Sequence, residues 1–172
     1  IVAYKIAKSV NDKTKTKRED RLLYLDTMTN LKNRNYLNDN INFWNETKVY
    51  PQTIIVIDIN RLKELNDKYG HDVGDDVLKL VASNLVKVTG GGKAFRYGGE
   101  EFTIMFPGKS LNDVLPHLES LREQVSKTGY TRKSSKAQNS KSKRVNSTQL
   151  FVTISIGVCE KNSTHKDPND VI

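Results

Sequence analysis

The sequence contains one cysteine, Cys159, among 172 residues, which excludes an intrachain disulfide. This cysteine ends the apolar run FVTISIGVC (151–159), a pattern that predicts a buried strand, and a lone thiol is typical of a reducing compartment. No apolar run approaches the roughly 20 residues that a membrane-spanning helix needs, and no signal-peptide pattern is present. We therefore expect a cytoplasmic protein, in which any membrane attachment lies upstream of this chain.

Acidic residues are fewer than basic ones, 20 Asp and Glu against 28 Lys and Arg, and the formal net charge is +8. The excess is confined to two segments: residues 1–25 carry seven basic and three acidic side chains, and residues 131–144 carry six basic and none acidic. Residues 26–130 carry 13 basic and 14 acidic side chains, so the folded body has no basic stripe for nucleic acid. We expect no nucleic-acid partner and a solvated loop at 131–144, for which the alternative is a phosphate-binding patch.

The hydrophobic pattern predicts an α+β domain whose core elements follow the order βαββαβ after two N-terminal helices. The predicted helices are 18–25, 34–44, 74–88 and 110–125, and the predicted strands are 53–58, 93–97, 101–106 and 149–158. A further helix is expected to begin near Arg61. Between the second and third strands, Gly98 and Gly99 predict a two-residue hairpin turn with positive φ angles.

Three carboxylates, Asp58, Glu100 and Glu101, are predicted to converge at one end of the sheet. A right-handed crossover places the second strand parallel to the first with room for one strand between them, and the hairpin partner fills this gap. Asp58, at the carboxyl end of the first strand, then lies beside the hairpin tip. Such carboxylates repel unless they are protonated or bridged by a cation, and oxygen ligands suit Mg²⁺ or Mn²⁺. The alternative is a solvated acidic hairpin in which Asp58 caps the following helix.

The stretch DINRLKELNDKYGHDVGDD has the features of a nucleotide-binding turn. Backbone N–H groups near Arg61 and Leu62 are placed to hold phosphate oxygens at a helix start, and Lys63 adds a positive charge. Asp75 offers a pair of acceptors to the N1–H and amino group of guanine, and Asn66 lies one helical turn beyond the phosphate-binding turn. The alternative is that Lys63 and Asn66 are ordinary surface residues and that Asp75 only begins the next helix.

Three motifs together resemble the GGDEF diguanylate cyclases, which condense two GTP molecules into cyclic di-GMP. They are DTMTNLKNR (26–34), DINRLKELNDKYGHDVGD (58–75) and RYGGEEF (96–102). The motifs occur in the family's order, and the resemblance extends from residue 26 to about residue 158. It implies a ferredoxin-like, palm-shaped βαββαβ core of the nucleotidyl cyclase type, with the extra helices at the N-terminus.

The resemblance also implies a two-metal catalytic site. Asp58, the carbonyl of Ile59 and Glu100 would bind two divalent ions, Mg²⁺ or Mn²⁺, and Glu101 would lie at the same metal site. Glu100 would in addition assist deprotonation of the ribose 3′-hydroxyl that attacks the α-phosphate of the second GTP. Gly98 and Gly99 would let the backbone approach the substrate phosphates closely.

For the substrate, the resemblance implies that Lys63 holds phosphate during catalysis and that Asn66 and Asp75 read guanine. Each domain presents one GTP, so the reaction requires a second GGDEF domain, and a homodimer is expected. The domain would span residues 26–172, after the end of a helical stalk or linker at 1–25, and would be the output domain of a larger bacterial signalling protein.

Two departures from the family pattern carry expectations of their own. The family's product-binding RxxD motif would fall at 89–92, where this sequence has Thr-Gly-Gly-Gly, so no product-inhibition site is expected there. The sequence ends at KDPNDVI, where the family continues into a helix with phosphate-contacting basic residues, so this helix is expected to be lacking. Asn60 replaces a common aspartate that has no assigned ligand role.

Two other functions remain open from the sequence. One is a catalytically silent GGDEF-like module that binds GTP or regulates a neighbouring domain, which the intact GGEEF stretch argues against. The other is a nucleic-acid binder that uses the basic segment 131–144, for which a steep dependence of binding on salt would be diagnostic.

Overall fold

Strand β2 (Gln52–Ile59) is the apolar run around which the domain is built, and it belongs to a five-stranded sheet. The computed structural model describes residues 19–21, 23–133 and 147–163. The strand order in this sheet is β1 (Lys32–Asn33), β3 (Lys93–Gly98), β4 (Glu101–Pro107), β2 and β7 (Ile154–Lys161). Strands β1 and β3 are parallel, and the other neighbours are antiparallel. Strands β5 (Gly129–Lys133) and β6 (Ser147–Phe151) form a separate antiparallel pair.

The elements have the following bounds. The strands are β1 Lys32–Asn33, β2 Gln52–Ile59, β3 Lys93–Gly98, β4 Glu101–Pro107, β5 Gly129–Lys133, β6 Ser147–Phe151 and β7 Ile154–Lys161. The helices are α1 Arg34–Glu46, α2 Leu62–Tyr69, α3 His71–Leu85 and α4 Leu111–Lys127. Residues 19–21 and 23–24 are also helical.

Alternation along β2 gives the sheet two different faces. Ile55 and Ile57 face the larger core, where β4 and the helices α3 and α4 contribute apolar side chains. Ile54 faces the opposite side and packs with Leu37 and Trp44 of α1. Helix α1 covers only part of this second face, since Val56, two residues further along β2, is 45% exposed.

The predicted βαββαβ order and palm-like topology are confirmed. Strand β4 lies between β2 and β3 and is antiparallel to both, which leaves β2 and β3 parallel as the crossover argument requires. No helix in the described ranges combines the length and apolar character that crossing a bilayer requires.

The predicted hairpin turn at Gly98–Gly99 is wrong in detail. Gly98 is still part of β3 and pairs with Glu101, so the two turn residues are Gly99 and Glu100. A register shift between Arg96 and Gly98 moves the turn by one residue. Neither glycine has a left-handed φ angle, because the irregularity in β3 supplies the bend that the sequence argument had assigned to positive φ.

Two element boundaries also differ from the prediction. Helix α3 begins at His71 rather than at residue 74, because Gly70, with φ 92°, ends α2 and starts α3 in a single residue. The single strand predicted at 149–158 is two strands, β6 and β7, which belong to different sheets.

The prediction that Cys159 is buried is wrong, because its side chain is exposed. Cys159 lies opposite Ile54 on β7, and β7 is the edge strand of the sheet. Residues 131–133, predicted as part of a loop, belong to β5, and the rest of that predicted loop, 134–144, lies outside the described residues.

Candidate functional site

The site is built where the carboxyl end of β2 meets the β3–β4 turn. Asp58 and Glu101 are direct cross-strand partners, and residues directly opposite each other on antiparallel strands have Cβ atoms about 5 Å apart. Both side chains are exposed, as is Glu100 in the adjoining turn. The predicted approach of Asp58 to the hairpin tip is therefore present as a pair on facing strands with a third carboxylate next in the chain.

The carboxylates fit a divalent cation whose coordination shell is completed by substrate phosphates and water. In the part of the chain that the structure describes, no group of three or more His, Cys, Asp or Glu side chains is arranged to hold a metal by itself. Mg²⁺ is usually held by one or two carboxylates together with substrate phosphates and waters, and dedicated all-protein cages are rare. Asp58 and the acidic turn therefore match the kind of site that a metal–nucleotide complex occupies.

Helix α2 begins immediately after this strand and presents free backbone donors. Its N-cap, Arg61, has a left-handed conformation (φ 60°, ψ 27°) and makes no side-chain capping hydrogen bond. The first N–H groups of a helix have no partner within the helix, so those of Leu62 and Lys63 remain available to an anion. The Arg61 guanidinium itself donates to Glu64 (Nε–Oε1 2.9 Å), which lowers the pKa of the Glu64 carboxyl.

Asn60 ties this corner to the edge strand β7. Its backbone N–H donates to the Thr153 carbonyl at 2.9 Å, and its side-chain amide donates to the Thr153 hydroxyl at 2.9 Å. The Ser155 hydroxyl donates in turn to the Asn60 amide oxygen at 2.6 Å. A neutral amide both donates and accepts here, which an ionised aspartate at this position could not do, so the departure noted at position 60 has a structural role.

Asn66 lies on α2 and Asp75 on α3, the two helices that meet at Gly70, and the Asn66 side chain packs closely against Gly74 of α3. The side-chain oxygen of Asn66 is buried and has no hydrogen-bond partner among the described residues. A Cβ atom added at Gly74 would stand 1.8 Å from that oxygen. A residue other than glycine at 74 would displace the Asn66 amide from this position, and no motif of the sequence indicates this requirement.

Asp75 and Asp76 are adjacent acids with different surroundings. Asp76 accepts a hydrogen bond from the Tyr130 hydroxyl (2.9 Å) and pairs with Lys79 (3.3 Å), and the bond to Asp76 raises the pKa of Tyr130. Asp75 makes no such contact with the described residues and is half-buried. The contacts thus occupy Asp76 and leave Asp75, the acid that the sequence motif indicates, without such a partner among the described residues.

The junction motif, residues 26–34, is joined to the β3–β4 turn through Arg96. Arg96 Nη1 donates to Asp26 Oδ1 at 3.0 Å, and Nη2 donates to the Gly99 carbonyl at 2.6 Å. Partial burial opposes ionisation of Asp26, but hydrogen bonds from Thr29 and Arg96 outweigh it and lower the pKa of this carboxyl. A cavity of about 410 Å³ lies beside these groups, and Gly98 and Gly99 are among the residues that line it.

A second depression lies on the partly covered face of the sheet. It has a volume of about 550 Å³ and is lined by α1 residues, among them Arg34, and by Val56, Tyr97 and Glu101 of the sheet. The Arg34 guanidinium stands over the Tyr97 ring, 4.6 Å from its centroid. Glu101 is thus both the cross-strand partner of Asp58 and part of the lining of this depression.

The segment at 89–92 is a glycine turn held by His117. The Thr89 hydroxyl and His117 Nδ1 share a hydrogen bond of 2.7 Å. Gly90 and Gly91 have φ angles of 77° and 86°, and a Cβ at Gly90 would stand 2.4 Å from the His117 ring. The segment offers no charged side chain.

Comparison with known proteins decides the family. The family model described as "Diguanylate cyclase, GGDEF domain" matches residues 23–172. The chain belongs to the GGDEF diguanylate cyclase family. Relatives of this GGDEF domain include the diguanylate cyclase DosC of Escherichia coli K12, 32% identical over 148 residues, which are 83% of this chain and 29% of DosC. The response regulator PleD of Caulobacter vibrioides is 34% identical over 141 residues, 80% of this chain and 29% of PleD.

Solved structures show the same fold for this GGDEF domain. The coiled coil and GGDEF domain of DgcB from Caulobacter crescentus, solved in complex with c-di-GMP, aligns with a TM-score of 0.77 and 26% identity over 95% of this chain and 83% of that chain. The chain spans less than a third of the length of the curated relatives DosC and PleD. Members of the family are enzymes that generally use divalent metals, bind GTP and often act as dimers.

Proposed function

We propose that this GGDEF domain condenses two GTP molecules into cyclic di-GMP as the output domain of a larger signalling protein. The observation that carries the proposal is the pairing of Asp58 with Glu101 beside the uncapped start of α2. This observation supports the proposal because carboxylates, which suit a divalent cation, lie near the start of a helix, whose N–H groups suit a phosphate. Both belong to the sequence motifs that resemble the family's site.

In the proposed reaction, Asp58, the Ile59 carbonyl, Glu100 and Glu101 would hold two divalent ions, Mg²⁺ or Mn²⁺, which would supply charge neutralisation for the triphosphate and lower the pKa of the attacking hydroxyl. The N–H groups at the start of α2 and the Lys63 ammonium bind the phosphate oxygens. The open backbone at Gly99, where an added Cβ would meet nothing within 4 Å, lets the phosphates approach the turn.

Each bond-forming step consumes one 3′-hydroxyl and releases one pyrophosphate. The 3′-oxygen of one GTP attacks the α-phosphorus of the other, the bond from that phosphorus to the bridging oxygen breaks, and Glu100 accepts the hydroxyl proton. The same step in the opposite sense closes the ring. Because one domain holds one GTP, two copies of the chain must face each other, and a homodimer is the proposed active form.

Base recognition is assigned to Asn66 and Asp75. The Asp75 carboxylate can accept from both the N1–H and the amino group of guanine, whereas adenine presents a lone pair at N1 to the same group. The Asn66 amide can bond to the same base, and Gly74 provides the space in which that amide sits.

The test is to incubate the full-length protein with GTP and Mg²⁺ and to identify the product by mass spectrometry. Cyclic di-GMP and two equivalents of pyrophosphate are expected, and the rate should rise more steeply than linearly with protein concentration where the dimer dissociates. GTP binding without any product would instead support the catalytically silent module.

A further inference from the structure

Arg96 stands between the junction motif and the turn that carries Glu100. One guanidinium nitrogen donates to Asp26 at 3.0 Å and the other donates to the Gly99 carbonyl at 2.6 Å. Its side chain is only 10% exposed. The bond to Asp26 is partly buried and the bond to Gly99 is exposed, and together they bridge two segments that are distant in sequence.

The Gly99 carbonyl belongs to the peptide group that connects Gly99 to Glu100, so the bond from Arg96 fixes the orientation of that peptide. The Gly98–Glu101 pair closes the hairpin around this peptide. The space at Gly99 is open, because a Cβ there would meet nothing within 4 Å, and glycine has more backbone freedom than other residues. The bond from Arg96 to the Gly99 carbonyl is therefore the side-chain hydrogen bond that orients the peptide carrying Glu100.

The other end of the bridge is well anchored. Asp26 Oδ1 accepts from the Thr29 N–H (2.8 Å) and from the Thr29 hydroxyl (2.6 Å) as well as from Arg96. The Asp26 backbone is fixed by bonds to Leu31 (2.9 Å) and Asn30 (2.9 Å). The junction motif therefore holds Asp26 in place, and Asp26 in turn holds the Arg96 guanidinium that binds the Gly99 carbonyl.

The junction motif also hydrogen-bonds to the helical residues that precede it. The Asn33 side chain accepts from the first N–H groups of α1 and donates to the Leu23 carbonyl at 2.8 Å. Asn35 donates to the same carbonyl at 3.3 Å. A displacement of the preceding helix at Leu23 would thus be passed to the junction motif.

We propose that Arg96 is a positioning residue for the Glu100 carboxylate and that it makes the placement of Glu100 depend on the junction motif. Arg96 acts through the Gly99–Glu100 peptide and does not touch metal or substrate. This inference rests on the proposed function, because it assigns a role to Glu100 in binding the divalent ion. A shift of the helix before residue 26 then changes metal binding at the turn, which gives an upstream segment a mechanical route to the site.

The test compares Arg96→Met, Arg96→Lys and Asp26→Asn with Arg122→Met in the full-length protein. Arg122 is the matched control because it pairs with Glu119 on the surface of α4, away from the turn. Mn²⁺ binding is followed by electron paramagnetic resonance in the presence of a GTP analogue with a methylene group between the α- and β-phosphorus atoms. Steady-state turnover and thermal unfolding are measured in parallel.

For Arg96→Met we expect the Mn²⁺ dissociation constant to rise and kcat to fall by about 10- to 100-fold, as is typical when a residue supporting a metal ligand is lost. The KM for GTP should change less, because base recognition lies on α2 and α3. Arg96→Lys and Asp26→Asn keep part of the bridge and should give intermediate values at near wild-type folding. Arg122→Met should match the wild type.

Two results would overturn the proposal. One is that the Arg96→Met and Arg96→Lys proteins are folded and bind Mn²⁺ with the same affinity as the wild type and Arg122→Met. The other is a loss of turnover that follows only the loss of folded protein in all three variants. A wild-type protein that neither binds Mn²⁺ with the analogue nor turns over GTP would contradict the proposed function itself, which keeps the two failures distinct.

Discussion

Gly74→Ala is expected to weaken GTP binding while leaving the stability of the domain almost unchanged. The added Cβ would stand 1.8 Å from Asn66 Oδ1 and 2.8 Å from Asn66 Cγ. These atoms are at the end of a flexible side chain, so the amide can move away at a cost of about 0.5–1.5 kcal/mol if it leaves its rotamer. Replacing a helical glycine with alanine offsets this by about 1 kcal/mol.

The effect on binding is larger because the displaced amide loses its place beside the base. A hydrogen bond lost to a buried polar group costs about 1–3 kcal/mol, which corresponds to a roughly 5- to 150-fold rise in the dissociation constant. The measurement is calorimetric binding of the methylene analogue of GTP, together with thermal unfolding of the same samples. Ser83→Ala, an exposed position on α3, is the control for a changed helix surface.

A double-mutant cycle with Asn66→Ala decides whether the glycine acts through the amide. In the Asn66→Ala background, Gly74→Ala should add no further loss of affinity, because the group that it displaces is already gone. An equal loss in both backgrounds would refute the reasoning and would assign Gly74 a role independent of Asn66.

The remaining predictions concern catalysis, base choice, feedback and pH. Glu100→Gln or Asp58→Asn should abolish formation of cyclic di-GMP with Mg²⁺ as the sole divalent ion while unfolding is unchanged, and near wild-type turnover would remove the residue from the site. Asp75→Ser should raise the yield of cyclic adenine-containing products from equal GTP and ATP, whereas an unchanged ratio in an active enzyme would exclude Asp75 from base recognition. Initial rates should stay flat as cyclic di-GMP is added, and strong inhibition that survives substitution of residues 89–92 would show that another site binds the product. Hydrogen bonds lower the pKa of Asp26 in the folded state. The Asp26 carboxylate therefore stabilises the fold fully above its pKa in the unfolded chain, about 3.9, and this stabilisation is lost as the pH falls through the folded-state pKa. The urea midpoints of wild type and Asp26→Asn should converge in acid, and a difference that persists at low pH would contradict this.

The pairing of β2 with β4 could be predicted because several local signals agree. The run TIIVID is too apolar for an edge strand, and the handedness of the crossover leaves one place for the hairpin partner. Asp58 ends the strand, so its position beside the hairpin follows from topology without any knowledge of side-chain contacts. These are the parts of the site that depend on the order of elements.

The details that failed depend on contacts that sequence periodicity does not carry. The irregularity after Arg96 moves the turn by one residue, and nothing in RYGGEEF distinguishes a glycine in the strand from a glycine in the turn. Strand β5 is mostly polar and takes its conformation from pairing with β6. The fit of Asn66 against Gly74 spans two helices whose relative angle is set by Gly70, so it could be seen only once that junction was in place.

The central claim is that a 3′-hydroxyl of one GTP attacks the α-phosphate of a second GTP at the site formed by Asp58 and the Glu100 turn. The most direct measurement is mass spectrometry of the products that the full-length protein forms from GTP alone and from GTP mixed with 3′-deoxy-GTP, which can be attacked but cannot attack. The account predicts cyclic di-GMP in the first case, a linear mixed dinucleotide in the second, and neither with Asp58→Asn. Neither product from the folded wild-type protein, or both from folded Asp58→Asn, would contradict it.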